Sequence, residues 1–582
     1  MPRKVQAYDD YDDGYGDYDD YDDYGDDDGY GDYDEYAVGA AKKGAKTQQT
    51  QQTKAKAPAA VKKAKAPSAK KPAAAAAPTT TTTTTTTTKS TGAAETLAPS
   101  PSASGNPKST PESTSELVEV AANQQQQAED ANARALSECL RDLEAMEAAG
   151  SSTKPTIILV VLGHVDAGKS TLMGRLFAEL GVIDSREVRR RAHQATQIGK
   201  GSFGWAWLMD ERPEERERGV TIDIAKRSFQ TERRQVTILD APGHRDFVTN
   251  AISGISQADA AILVIDGSVG GFESGFEKRG KISGQTREHA QLAKGIGIEQ
   301  LAVVVTKLDK STEGETRFKE IRGKLEPFLK SCGYRNLTWL CASGTTGDNI
   351  VSKPPPESPM AWFDGPTVVE AIDAFDLVER SRQKSLRIPI FSVGSGGGAG
   401  KVQVTGRVAS GCLREAAKVC VMYGNTETEV KSIVRNNEKS KFALAGDAVD
   451  LTLGLEEASL IEVGSVVCAP LDKIRVSERV KVKIITLELP TPFTLGQSLV
   501  LHVHAARAPA KITKMISLHD PKTGEVTKKR PRILKSFQTA TIEISLLKKI
   551  CIERYDDHPS LGRLVLRLEG QTVGVGKVTK VY

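Results

Sequence analysis

Residues 156–180 read TIILVVLGHVDAGKSTLMGRLFAEL. An apolar run of strand length enters a glycine-bearing loop, and Leu172, Leu176 and Leu180 follow at helical spacing. Strand, loop and helix in this order predict an α/β domain, a mostly parallel sheet with flanking helices. The loop itself, Gly163, His164, Val165, Asp166, Ala167, Gly168, Lys169, Ser170 and Thr171, matches a phosphate-binding signature. In such a loop the backbone N–H groups cradle phosphates, the Lys169 ammonium reaches the terminal ones and the Ser170 hydroxyl binds magnesium. A second glycine-rich stretch, SGGGAGKV at 395–402, has Ser395 where the first glycine belongs and Val402 where the hydroxyl belongs. It reads as a hairpin loop.

Downstream, RRQVTILDAPGHRDF (233–247) places another apolar strand before Asp240. A carboxylate at a strand's carboxyl end is placed to hold a magnesium shell through water, and Gly243 can present its N–H to a γ-phosphate. Loss of that phosphate would release the segment. In PEERERGVTIDIA (213–225), Thr221 would complete the magnesium coordination and Gly219 would let the loop reshape. A threonine alone in such a place is structural; the ordered motifs around it argue for the metal.

A third buried strand ends in VTKLD (305–309). Asp309 can accept both donors of guanine's Watson–Crick edge, N1–H and the exocyclic amine, and adenine offers no such pair. Lys307 can lay its stem over the base. Thr306 stands where such loops carry Asn; it keeps a hydroxyl but loses reach and one polar group, so guanine selectivity should survive with weaker nucleotide affinity. In CASG (341–344) the N–H of Ala342, between Cys341 and Ser343, is expected to point at guanine O6. His244, directly after the DAPG tetrad, is the candidate to orient an attacking water, although by itself it would be an ordinary loop histidine. Val165 is placed to screen it until a partner rearranges the site, which predicts slow intrinsic turnover and strong activation. The series in this order specifies a GTPase rather than an ATPase, working with GTP and Mg2+ by positioning and electrostatics.

The rest of the chain frames this domain. With 582 residues, several domains are expected. Residues 8–36 hold fifteen acidic side chains, nine tyrosines and no basic residue, and Lys, Ala, Pro, Ser and Thr then dominate to about residue 115. Such composition predicts a disordered extension over 1–115. The overall charge of +4 conceals this split: residues 8–36 carry −15 and residues 1–7 carry +2, so the remainder carries +17. A basic body suits a nucleic-acid-rich partner, and equally suits a lysine-rich solvated surface. Seven cysteines without close pairing suggest a reducing, cytoplasmic setting rather than zinc or a disulfide framework. No apolar run approaches the length of a membrane span. Over 116–153, Leu136, Leu140 and Leu143 make a narrow helical stripe, read as a linker helix leaning on the next domain, with partner binding as the alternative. After residue 385, short β-like runs such as VCVMY, VKVKIITLEL and ATIEISLL alternate with turns.

Through GHVDAGKST, ERERGVTIDIA, DAPGHRDF and GQTREHA, the chain resembles the translational GTPases of the elongation factor 1 alpha type over roughly residues 154–582. The resemblance implies a GTP-binding domain at 154–380 and two β-barrels at 385–472 and 473–582. Among the branches, WLMDERPEERERGVT, GGFESGFEKRG and the acidic beginning look most like the ribosome-rescue GTPases that partner Pelota. Aminoacyl-tRNA carriers and class-2 release factors remain alternatives, as does a GTP-gated scaffold in which hydrolysis is incidental. The KIS insertion at 281–283 and Thr306 depart from the family pattern. The resemblance implies a monomer whose partners are the ribosome and a Pelota-like release-factor paralogue, without sequence-specific nucleic acid and without a membrane.

Overall fold

In the computed structural model, the described residues are 112–148, 154–197, 199, 201, 204–209, 212–218, 221–278, 283–395, 400–455 and 457–582. The expectations for the acidic and Thr-rich segments up to residue 111, for Gly219 and for most of the glycine stretch after Ser395 lie outside them.

A six-stranded sheet forms the nucleotide-type domain. Its strands are β1 (Thr156–Gly163), β2 (Ala225–Gln230), β3 (Gln235–Asp240), β4 (Ala260–Asp266), β5 (Gln300–Thr306) and β6 (Leu337–Cys341), in the order β2-β3-β1-β4-β5-β6. Only β2 runs antiparallel to its neighbour. The central strands are apolar on both faces because helices cover both sides, so residues 157–162 are all buried. Since β1, β3, β4 and β5 run in parallel, the loops after them open at one edge of the sheet, where ligands bind in such folds.

Two six-stranded rings follow. In the first, the strand Thr426–Arg435 pairs with Lys418–Met422 to close the sheet; in the second, Ser498–Val503 pairs with Ala506–His519. Closure removes the free edges an open sheet would expose. Arg387–Ser395 and Val402–Arg407 pair antiparallel across the glycine stretch, a hairpin.

Helix α1 (Glu112–Ala148) corrects one expectation. Its main contact is with the first barrel rather than with the domain that follows it in sequence: Cys139 is buried there with Cys412, Phe442 and Leu444, and among its described residues only Leu143 shares a cavity with Lys154, Pro155 and Thr156. Leu136 and Leu143 flank that contact, and Arg414 pairs with Glu138 and Asp142. Cysteine behaves as a small apolar residue there, and a stripe counted from leucines alone misses it.

The nucleotide-type domain is joined to the first barrel by a buried charge cluster. Asp259, just before β4, accepts from Ile158 N–H at 3.0 Å and takes both ends of the Arg380 guanidinium at 2.7 Å, with Arg407 of the barrel on the same carboxylate. Burial alone would raise the Asp259 pKa, but Arg407 and Arg380 outweigh it and hold the carboxyl below its usual range. A depressed folded value means the ion cluster's contribution is complete above the unfolded value, about 4, and is lost as pH falls through the folded one. Asp259→Ala is therefore expected to weaken this junction by about 3–5 kcal/mol at neutral pH, because two guanidinium groups remain buried beside an empty site. Thermal unfolding checks this; the wild-type chain should keep the contribution from pH 8 to 5 and lose it only below about pH 4.

Candidate nucleotide site

The loop between β1 and helix α2 (Lys169–Glu179) is shaped by backbone conformations that glycine tolerates. Gly168 caps the helix at φ +88° and Gly163 sits at φ +150°, where a Cβ would lie 2.3 Å from the Val264 carbonyl oxygen. Asp166 adopts φ +59°, one of few non-glycine residues in that region. This loop borders a cavity of about 300 Å3 lined by Val165, Asp166, Gly168, Lys169, Ser170 and Thr171 on one side. The same cavity reaches Thr221, Gly243, His244, Thr306, Lys307 and Asp309.

Residues far apart in sequence thus meet. Lys169 is buried, and its ammonium donates to the carbonyls of Gly163 at 3.2 Å and His164 at 2.8 Å. Burial pulls its pKa down, and Asp240 and Asp166 act against that. The Ser170 and Thr221 hydroxyls lie 3.2 Å apart, fifty-one positions apart in the chain. Gly243 lies so close to the phosphate loop that a Cβ would meet the Lys169 ammonium at 2.4 Å and the Gly163 oxygen at 2.9 Å. No side chain could occupy that position without displacing Lys169.

Asp240 is fully buried, and burial pushes its carboxyl up to about 6 against the pull of Lys169. Neither carboxylate oxygen makes a well-formed hydrogen bond among the described residues, although the Ser170 hydroxyl is near enough to help Lys169 pull the pKa down. A buried carboxylate near the Ser170 hydroxyl, which itself meets that of Thr221, is a hard-oxygen donor set, and it fits magnesium.

The segment bearing Thr221 is held by residues that sequence reading did not single out. Glu215, buried in helix α3 (Pro213–Arg218), accepts from the N–H groups of Ile222 at 2.8 Å and Asp223 at 3.1 Å. Asn250 donates to the Ile222 carbonyl at 2.9 Å. Glu215 belongs to a charged run whose pattern carries no sign of inward direction, and Asn250 lies beside, not on, the apolar face of its helix.

On the far side, Thr306 donates its hydroxyl to Ala167 O at 2.7 Å and to Ile265 O at 3.0 Å. The reach expected to be lost is therefore kept: the short side chain still ties the base loop to the phosphate loop, one proton shared between two carbonyls. Lys307, at φ +62°, pairs with Asp266 at 2.8 Å. Asp309 is half-buried, with one oxygen accepting from Thr345 at 3.3 Å.

The expectation for Ala342 is corrected. Its N–H is bonded to Val305 O at 3.1 Å, continuing the β5–β6 ladder by one residue, and the Ser343 N–H is held by Asp348 O at 3.0 Å. Cys341, Ala342 and Ser343 are buried behind the cavity; Gly344 and Thr345 line it instead. Gly163, His164 and Ala167 likewise support the loop from behind rather than face the cavity.

His244 is partly exposed and borders the cavity with Val165. Its Nδ1 lies 3.3 Å from the Asp246 N–H and 3.5 Å from the Asp246 carboxylate, so Nε2 is the ring nitrogen left to meet a water. Among the described residues there is no cluster of metal-type ligands elsewhere, and no helix is long and apolar enough to cross a membrane.

Comparison with known proteins adds to this geometry. Residues 154–380 match the family described as elongation factor Tu GTP binding domain, and residues 479–579 match the GTP-eEF1A C-terminal domain-like family. Protein HBS1 of Drosophila melanogaster is 39% identical over 430 residues, which cover 74% of this chain and 63% of that protein. Elongation factor 1-alpha of Staphylothermus marinus is 40% identical over 436 residues, covering 74% of this chain and 98% of its own. Among solved structures, the S. cerevisiae Ski7 GTPase-like domain bound to GTP aligns with a TM-score of 0.61 at 17% identity, over 73% of this chain and 97% of that one, a likeness of fold.

Proposed function

This chain belongs to the translational GTPase family of elongation factor 1-alpha and HBS1, and from that premise we propose that it carries a release-factor-like partner, Pelota, to stalled ribosomes and hydrolyses GTP there. The observation that carries the GTPase chemistry is the convergence of Lys169, Ser170, Thr221 and His244 on one cavity, with the buried Asp240 carboxylate behind Lys169 and Ser170. The rescue assignment is supported by the likeness to HBS1 and by the extended motifs around residues 207–221 and 270–290.

In the proposed mechanism the Gly163–Thr171 loop wraps the phosphates, and Lys169 leaves its two loop carbonyls to meet their charge. Ser170 and Thr221 would hold magnesium directly and Asp240 through water; the ion supplies charge neutralisation at the β- and γ-phosphates. Gly243 offers its N–H to the γ-phosphate, so that the 240–248 segment and the Thr221 segment relax together after hydrolysis. His244 positions the water, and Val165 borders its path until the ribosome reshapes the site. Asp309 selects guanine, with Lys307 along the base. Its partners would be reached in the cytoplasm, with no membrane involved.

Thr306→Ala removes the side-chain donor from the buried Ala167 carbonyl, about 1–3 kcal/mol of lost support, while the Ile265 carbonyl keeps its place in the β4–β5 ladder. GDP affinity measured with a fluorescent nucleotide is expected to fall about tenfold, while the ratio of guanine to adenine affinity stays unchanged. A fall in that ratio would show that Thr306 reads the base.

Elongation factor 1-alpha is as similar to this chain as HBS1 is, which favours an aminoacyl-tRNA carrier as the second reading. The two separate by complex formation: gel filtration of the full chain with a non-hydrolysable GTP analogue or GDP, and with Pelota, charged tRNA or a class-1 release factor. The rescue reading expects a GTP-dependent complex with Pelota alone; a complex with charged tRNA would replace it by the carrier reading.

A further inference from the structure

The motifs GGFESGFEKRG and GQTREHA mark the family resemblance but contribute no lining residue to the cavity. The structure places them directly behind it. Helix α6 (Gln285–Ile296) follows α4 (Val248–Gln257) and α5 (Gly271–Phe276) in the chain, and begins at Gly284, where a Cβ would come within 2.4 Å of the Gly275 carbonyl oxygen. That close approach packs the first turn of α6 on α5, whose Gly275 in turn lies against the phosphate loop, where a Cβ would meet the His164 side chain at 3.0 Å. Gln285, the first helical residue, is buried, and its Nε2 donates to the Gly243 carbonyl at 2.8 Å. A carbonyl only accepts, so the amide must present its nitrogen there and its Oε1 to His164, whose Nδ1 is hydrogen-bonded to it. One turn on, the His289 Nδ1 accepts from the Gly163 N–H at 3.2 Å, and burial pulls the His289 pKa down to about 3, so the ring is neutral and able to accept.

One buried amide therefore joins residue 164 of the phosphate loop to residue 243, whose carbonyl begins the peptide leading into His244. We propose that Gln285 is a positioning residue: by holding the Gly243 carbonyl against the phosphate loop, it sets the direction in which the chain delivers the His244 ring to the water. The amide suits this because it alone among side chains of this length donates and accepts at once; a carboxylate accepts on both sides, and a thioether does neither with strength. The same helix carries Glu288, which accepts from Thr572 of the second barrel at 2.9 Å, so its placement is fixed from both sides.

The inference rests on the assignment of His244 to the water, and the test separates the two. GTP turnover of the full chain is measured alone and with ribosomes and Pelota, for wild type, Gln285→Glu, Gln285→Met and His244→Ala, beside GDP affinity for each. Both Gln285 substitutions preserve length, and the expected result is a kcat lower by about tenfold to a hundredfold, with KM for GTP and GDP affinity within about twofold. Full kcat in both Gln285 variants, while His244→Ala is slow, overturns the positioning role alone. GDP affinity falling by the same factor as kcat also overturns it, because that is the signature of general support for the loop. Full turnover in His244→Ala overturns the water assignment and the positioning role with it.

Discussion

Asp309→Asn is expected to lower GTP affinity by about a thousandfold and to raise affinity for xanthosine triphosphate. The carboxylate accepts from N1–H and from the exocyclic amine of guanine, two charge-assisted hydrogen bonds in a partly desolvated place. An amide keeps one acceptor and turns the other into a donor, which faces the guanine amine without a bond. In xanthine that amine is replaced by a carbonyl, and the amide then matches it. Sites built to hydrogen-bond a given group discriminate by factors of about ten thousand against an analogue that lacks it, so a thousandfold change is within reach of this contact. Competition binding with the two triphosphates checks it; unchanged GTP affinity would remove Asp309 from base recognition.

His244→Ala should lower ribosome-stimulated turnover by about a hundredfold to ten-thousandfold while GDP binding changes little. The ring borders the cavity and supports only the short unburied turn that follows it: it is partly exposed, accepts from the Asp246 N–H and lies beside the Phe247 ring. Removing it takes away the orientation of the water, a transition-state contribution of general acid–base size, without disturbing the ground state. Single-turnover hydrolysis on ribosomes separates this from a binding defect. A variant that binds ribosomes and hydrolyses at the wild-type rate would point instead to a GTP-gated scaffold or to a different water-positioning group.

The parts of this molecule that sequence reading reached share one property: their meaning is local. The phosphate loop lies between an apolar strand and an amphipathic helix, and Asp240 and Thr306 each end a mainly apolar strand, with Val236, Ile238 and Leu239 before the first and residues 301–305 before the second, so spacing alone places them at one sheet edge. The strands of both rings alternate with turns and are visible one at a time. The parts that escaped arise from approaches across the fold. Glu215 is one of five charged residues in PEERER, and nothing in that run marks it as the one turned inward to hold Ile222 and Asp223. Gln285 and His289 lie in a stretch recognisable only as a family signature, and their bonds to residues 243 and 163 span forty-two and one hundred and twenty-six positions.

Two errors have simple causes. The CASG motif, with Cys341 in place of the more frequent Ser, points to Ala342 for guanine O6, but the ladder with Val305 extends one residue past Cys341 and takes the Ala342 N–H. Sequence cannot fix a strand end to one residue. For Thr306, comparing side-chain length with Asn underrated how closely β5 approaches the phosphate loop, where a hydroxyl on the β-carbon is already at hydrogen-bonding distance from Ala167. The docking of α1 on the first barrel is of the same kind, since its buried centre is Cys139 rather than a leucine.

The central claim is that this GTPase acts with a release-factor-like partner on the ribosome. The most direct test is GTP turnover by the full chain alone, with ribosomes, and with ribosomes plus Pelota, with charged tRNA and a class-1 release factor run as parallel partners. Slow turnover alone, strong stimulation by ribosomes with Pelota, and none beyond ribosomes with the other two is the predicted result. Stimulation by charged tRNA or by the release factor in place of Pelota would contradict the account.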